Sequence, residues 1–193
     1  AISTQVQDEL IVAAQQAEAD PLVRAMIITC NAEFFSAGAD LNDALAIAGP
    51  AEGVAYFKRW HRLCDTLETL AKPVLAAIEG FCMTGGCELA LACDIRVGAE
   101  GSSYAVTSSK IGTVAGAGGT QRLPRIVGQA KALEIMFAGD PVDAVEAYRI
   151  GLINRLAPKG QALAEAKKMV AVYEDRAPLS LASRKARVMN ALM

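Results

Sequence analysis

The chain has 193 residues, 53% of them hydrophobic, and 19 basic against 21 acidic side chains give a formal charge of −2. That is enough apolar material for one substantial core and too little net charge for a disordered chain. With no basic run and only 5% aromatic residues, nucleic-acid binding has no electrostatic footprint.

The five cysteines, Cys30, Cys64, Cys82, Cys87 and Cys93, form an odd set without C-x-x-C spacing and sit in apolar stretches. This predicts buried thiols in a reducing compartment and no metal site. No apolar run reaches the ~18 residues of a membrane span, and the start, Ala1-Ile-Ser-Thr-Gln5, lacks the basic and apolar regions of a signal peptide. A cytoplasmic protein is expected, or an organelle-matrix protein if a transit peptide has been removed.

In chain order, Thr4 with Gln7 reads as a capping box, and Val6, Leu10, Ala13 and Ala17 recur at helical spacing up to Asp20-Pro21. Residues 24–30 form a short apolar run that suits a strand buried on both faces. The loop Phe34-Phe-Ser-Ala-Gly-Ala-Asp40 comes next, then a helix with Val54, Phe57, His61, Cys64 and Leu67 on one stripe. Residues 72–78 predict a second buried strand, 88–93 a helix, 95–99 a third strand and 131–138 a helix closed by Gly139. Asp143 with Glu146 predicts another capped helix ended by Gly151, followed by a strand over 152–156; from Gly160 onward the pattern is helical only. The alternation predicts parallel pairing in an α/β domain.

The segment Gly85-Gly-Cys-Glu88 places a glycine turn at a helix start with an acid three residues on, and Gly116-Ala-Gly-Gly119 follows as a second glycine-rich turn. Bare backbone N–H groups at such a start can hold a developing oxyanion, and a carboxylate one helical turn away can move a proton beside it. The pattern fits enolate chemistry. Alternatively, Glu88 is a first-turn acid that complements the helix dipole, and the second turn's glycines serve close packing. That turn misses G-x-G-x-x-G and has no P-loop lysine, so nucleotide binding is disfavoured. His61, the only histidine, lacks a G-x-S-x-G partner and reads as a packed or surface residue.

Ser36-Ala-Gly-Ala-Asp40, Lys72-Pro-Val-Leu-Ala-Ala-Ile-Glu-Gly80, the stretch 85–94, Gly116-Ala-Gly-Gly-Thr-Gln-Arg-Leu-Pro-Arg125 and the stretch 144–154 closely resemble the enoyl-CoA hydratase/isomerase (crotonase) superfamily, in order and correctly spaced. The resemblance implies an α/β fold, a crotonase-like spiral of stacked β-β-α units with C-terminal helices. Residues 1–158 would form the core, without the family's N-terminal hairpin, and 159–193 the start of a C-terminal helical region, expected to be truncated. It implies an acyl-CoA thioester substrate with no other cofactor, and assembly as a homotrimer or hexamer. By position, the Ala39 and Gly85 N–H groups match the family's oxyanion hole and Glu88 its first catalytic glutamate, and Ser36, Ala37, Ala39, Asp40 and Leu41 match its CoA-contacting loop. Ser108 falls where hydratases carry the second glutamate, Thr84 replaces a usual glycine and Ala115 a usual proline. The expectation is hydration or dehydration of a 2-enoyl-CoA or dienoyl-CoA through Glu88. The rivals are double-bond isomerisation by Glu88 alone and a non-catalytic CoA-binding subunit.

Overall fold

The computed structural model describes residues 1–31 and 33–191. Helix α1 (Thr4–Ala19) leads into strands β1 (Met26–Thr29) and β2 (Phe34–Ser36), then α2 (Leu41–Leu45) and α3 (Pro50–Thr69). A second β-β-α unit holds β3 (Val74–Ile78), β4 (Phe81–Met83) and α4 (Gly85–Leu91). The third has β5 (Ile95–Ala99), β6 (Ser103–Ala105), a 3-10 turn (Thr107–Ile111), α5 (Gly119–Val127) and α6 (Gln129–Ala138). The order reverses in β7 (Val142–Asp143), α7 (Ala144–Arg149) and β8 (Arg155–Ala157), before α8 (Ala162–Glu174) and α9 (Pro178–Asn190).

The first strand of each unit joins one sheet, β1-β3-β5-β8, and the second joins another, β2-β4-β6-β7. Pairing is parallel throughout, with Ile28 opposite Ala76 and Ala77 opposite Val97, until β7 runs antiparallel to β6. This is the expected stack of β-β-α units. Strand β3 shows why an unbroken apolar run is needed at its centre. Val74, Ala76 and Ile78 face one core with Trp60 and Leu63, while Leu75 and Ala77 face a second with Val97, Ala162 and Ala166. Period-2 alternation thus feeds two cores from one five-residue strand, and each large side chain buried contributes roughly 1.5–3 kcal/mol.

Several local expectations shift. Ser3, not Thr4, caps α1: its Oγ accepts from Val6 N at 3.3 Å. Gln7 turns into the core, where its Nε2 and Oε1 have no partner among the described residues. Strand β1 lies at a sheet edge, so only Ile28 is buried and Thr29 is exposed. The buried stripe of α3 is Trp60, Leu63, Cys64 and Leu67, while Val54 and Phe57 are exposed. The strand expected over 152–156 begins at Arg155 instead. Four cysteines are buried as predicted, and Cys30 on the edge of the sheet is exposed. Burial pushes the Cys64 and Cys93 thiols up to about 12.

The last helix is docked by a single cation. Lys185 Nζ sits 2.8 Å from Asp94 Oδ2 and donates to the Leu67 and Lys72 carbonyls at 3.0 and 3.2 Å. No described helix is long and apolar enough to cross a membrane.

Candidate active site

Two backbone amides converge where β2 and β4 end. Ser36 is buried, and its Oγ accepts from Gly38 N at 3.0 Å, which bends the chain after β2. Gly38 has φ 105°, and a Cβ there would lie 2.0 Å from Thr84 Oγ1, so both conformation and space require glycine. Ile2 bridges the next residues: its N–H donates to Gly38 O at 2.7 Å and its carbonyl accepts from Asp40 N at 3.2 Å. Ala39 N, between them, has no partner among the described residues. Gly85 opens α4, so its N–H has no acceptor within the helix. The two amides adjoin: a Cβ on Gly85 would be 3.2 Å from Ala39 N, and one on Gly38 would be 3.0 Å from Gly85 N. Thr84, just before the helix, holds φ 47° and donates its hydroxyl to Ala37 O at 3.0 Å.

Glu88 follows Gly85 by one helical turn, about 4.5 Å along the axis, and is 5% exposed. Its Oε1 accepts from Gly119 N at 2.9 Å. Burial pushes its carboxyl up to about 6, and the Gly119 and Ala117 amides, Arg122 and His61 hold it from rising further. Gly119 fits because it lacks a side chain: a Cβ would be 2.9 Å from Ala115 Cβ and 3.0 Å from Glu88 Cγ. The turn that presents Gly119 is tied at each peptide. His61 Nε2 donates to Gly116 O at 2.7 Å, and Arg122 Nη1 donates to Ala117 O at 2.8 Å. The Arg122 fork in turn grips Glu68, with Nε and Nη2 at 2.6 and 2.7 Å from its two oxygens.

Ala39, Gly85 and Glu88 are therefore brought together, with Ser36 supporting them from below. The Ser36 side chain faces inward: a Cβ on Gly86 would be 2.8 Å from its Oγ. Ala37 and Leu41 are exposed, and Asp40 caps α2 by accepting from Asn42 N at 2.9 Å. Ser108 is buried in the 3-10 turn; its carbonyl accepts from Thr113 N at 3.0 Å, and its hydroxyl has no hydrogen-bond partner among the described residues.

Two contributors escaped the sequence reading. Trp60 is buried with its ring edge 3.0 Å from where a Gly85 Cβ would stand, so it walls the donor pair. Its one signal was being the only tryptophan in the chain. His61 is an exposed clamp on the second glycine turn and does not lie on an apolar stripe. A groove of about 940 Å³ under α9, lined by Asp94, Arg96, Ile126, Tyr173, Leu181 and Lys185, contains neither Glu88 nor the two donors.

A model of the enoyl-CoA hydratase/isomerase family matches residues 1–193. The chain is 38% identical over 184 residues to a Bacillus subtilis (strain 168) protein named "Probable enoyl-CoA hydratase", covering 95% of this chain and 71% of that one. It is 37% identical over 170 residues to the crotonyl-CoA hydratase of Syntrophomonas wolfei, covering 86% of this chain and 64% of the relative. Among solved structures, an enoyl-CoA hydratase from Polaromonas sp. JS666 superposes with a TM-score of 0.92 at 33% identity, covering 96% of this chain and 73% of that one. DspI of Pseudomonas aeruginosa does so with a TM-score of 0.92 at 32% identity, covering 96% and 71%.

Proposed function

The chain belongs to the enoyl-CoA hydratase/isomerase family, and from that premise we propose that it hydrates a 2-enoyl-CoA through one acid, Glu88. The observation that carries this reading is the pairing of two unpartnered amides, Ala39 N and Gly85 N, with a buried carboxylate one helical turn away.

The thioester oxygen is held by the Ala39 and Gly85 N–H groups, which stabilise the negative charge it gains as the enolate forms. Gly119 N–H occupies Glu88 Oε1, which leaves Oε2 to handle the proton. Glu88 takes a proton from water as the water oxygen adds to Cβ. It returns that proton to Cα as the enolate collapses, so one water is added across the double bond and no oxidant or further cofactor is needed. A carboxyl pushed up to about 6 suits both directions of transfer near neutral pH. Ser108, with no carboxylate, takes no proton in this scheme; its free hydroxyl supplies a hydrogen bond to water or acyl group.

The loop 36–41 would carry the CoA moiety, with Leu41, 73% exposed, offered to it. Assembly as a homotrimer or hexamer is part of the same reading, supported by the exposed apolar side chains Ile111, Val114 and Phe137. A reducing compartment such as the cytoplasm fits the buried free thiols.

Loss of the conjugated-thioester absorbance of a short 2-enoyl-CoA tests the proposal. Glu88→Gln should cut turnover at least ~100-fold while thioester binding holds, because shape and hydrogen bonding survive and the proton carrier does not. Near-parental turnover by Glu88→Gln, or a preference for isomerising a 3-enoyl-CoA over hydration, would overturn it.

A further inference from the structure

We propose that Arg122, locked by Glu68, is a positioning residue for Glu88: it fixes the turn 116–119 from which Gly119 N–H reaches the carboxylate, and so fixes which carboxylate oxygen stays free. The inference rests on the reading of Glu88 as acid and base.

The turn is built around this guanidinium. Gly118 has φ 104°, and a Cβ there would fall 1.9 Å from Arg122 Nη1. Glycine is thus required twice, for the backbone and for the seat of the side chain. Arg122 is the fourth residue of α5, and its own N–H donates to Gly118 O at 2.9 Å. Its side chain folds back over the same turn to the Ala117 carbonyl at 2.8 Å. Glu68 on α3 accepts from the other two guanidinium nitrogens, with the arginine side chain 11% exposed and the glutamate 21%; Asp65 adds a looser contact at 3.6 Å. The result is a continuous path from α3 through Glu68 and Arg122 to the turn, and from Gly119 N to Glu88 on α4.

Only a planar fork can grip a carboxylate with two nitrogens and a carbonyl with a third. A lysine's single nitrogen could not hold both carboxylate oxygens and the carbonyl in that arrangement. The charged and titratable groups near Glu88 are Arg122 from α5 and His61 and Cys64 from α3. The Cys64 thiol is pushed up to about 12 and stays neutral, which leaves the turn amides, Arg122 and His61 to hold the carboxylate down. Loosening the turn therefore raises the pH at which Glu88 titrates.

The test is a carbon-13 NMR titration of the Glu88 carboxyl in the parent, Arg122→Lys and Glu68→Gln proteins, with the signal assigned by its loss in Glu88→Gln. Turnover of a short 2-enoyl-CoA and a thermal melt are measured beside it. Both variants should titrate at higher pH than the parent and lose roughly 10- to 100-fold in kcat, with KM little changed, since a misplaced acid costs rate rather than binding. Glu68→Gln keeps the shape and one hydrogen bond, so it carries the test should Arg122→Lys fail to fold. An unchanged Glu88 titration in a folded variant, with activity lost only in proportion to the folded fraction, would overturn the positioning role. Retained turnover in Glu88→Gln would overturn the assignment of Glu88 instead, and the titration would still report on the clamp.

Discussion

Replacing Gly85 by alanine puts one methyl group into the space between the two amides. The new Cβ would stand 3.2 Å from Ala39 N, within about 2.7–3.2 Å of it, where a hydrogen-bond acceptor would sit. One of the two donors is then blocked, and loss of one oxyanion donor costs about 2.7–4 kcal/mol, or 10²–10³ in kcat. The effect on folding is smaller because two terms oppose. Alanine is up to about 1 kcal/mol better than glycine in a helix. Against that, the Cβ meets the Trp60 ring at 3.0 Å, inside the optimum of about 3.5–4.0 Å, and such overpacking costs about 1–3 kcal/mol. The net is a destabilisation of about 0–3 kcal/mol, a fall in Tm of at most about 12 °C for a chain of this length. Turnover of a short 2-enoyl-CoA and a thermal melt, run on the same preparation, separate the two effects. Gly53→Ala, in α3, is the control: its Cβ would meet only the Ile47 side chain at an ordinary 3.7 Å, so neither stability nor activity should fall. A folded Gly85→Ala protein within about threefold of parental turnover would refute the oxyanion assignment, because blocking a true donor costs far more.

Glu88 also links activity and stability to pH. Its carboxyl is raised from 4.5 to about 6 by burial, so the fold favours the protonated form. The contribution is fully present below 4.5 and is lost as pH rises through about 6. Above that the charged group costs on the order of 2 kcal/mol, at about 1.36 kcal/mol for each pH unit between 4.5 and about 6. Glu88→Gln should therefore be more stable than the parent at about pH 8 and equal to it at about pH 4; identical denaturant midpoints at both pH values would count against it. The parent's kcat/KM should fall as pH drops below about 6, since only the carboxylate can take the proton from water. Ser108→Glu introduces a carboxylate at a buried position, where desolvation disfavours ionisation. It should slow the natural reaction, and faster hydration would show that the position merely lacked an acid.

The elements legible in the sequence are those whose signal is local. Helices α1, α3, α6 and α7 announce themselves by 3.6-residue periodicity and by caps such as Asp143, whose Oδ1 accepts from Glu146 N at 2.8 Å. Strand β3 does so by an unbroken apolar run, and β5 by a short apolar stretch interrupted by Arg96. The three-residue strands β2, β4 and β6 have no such signal. Each exists because a neighbour in the previous or next unit supplies its hydrogen bonds, as Phe34 lies opposite Phe81 and Cys82 opposite Tyr104. Helix α5 was hidden by Gly118, Gly119 and an internal Pro124. The proline forfeits only one amide hydrogen bond, and the Leu123 side chain is buried in the core. At the site, the glycine turns and Glu88 were legible because close backbone approach restricts residue type. The roles of His61, Trp60 and the Arg122–Glu68 pair depend on which face of α3 meets the second glycine turn, and that is decided only when the units stack.

Thr84 makes the donor pair one mechanical unit. A branched residue at φ 47° is strained by about 1–3 kcal/mol. The hydroxyl bond to Ala37 O spans from the start of α4 to the loop after β2, the two segments that carry Gly85 N and Ala39 N. The strained peptide and the bridging hydroxyl therefore couple two loops far apart in sequence, so that a displacement of one carries the other along. The gap between the amides is thereby held at a fixed width. On the proposed reading, little motional freedom would remain to be frozen out when a thioester oxygen settles between them, and a residue that is conformationally costly at rest would lower the entropy lost at the moment of binding.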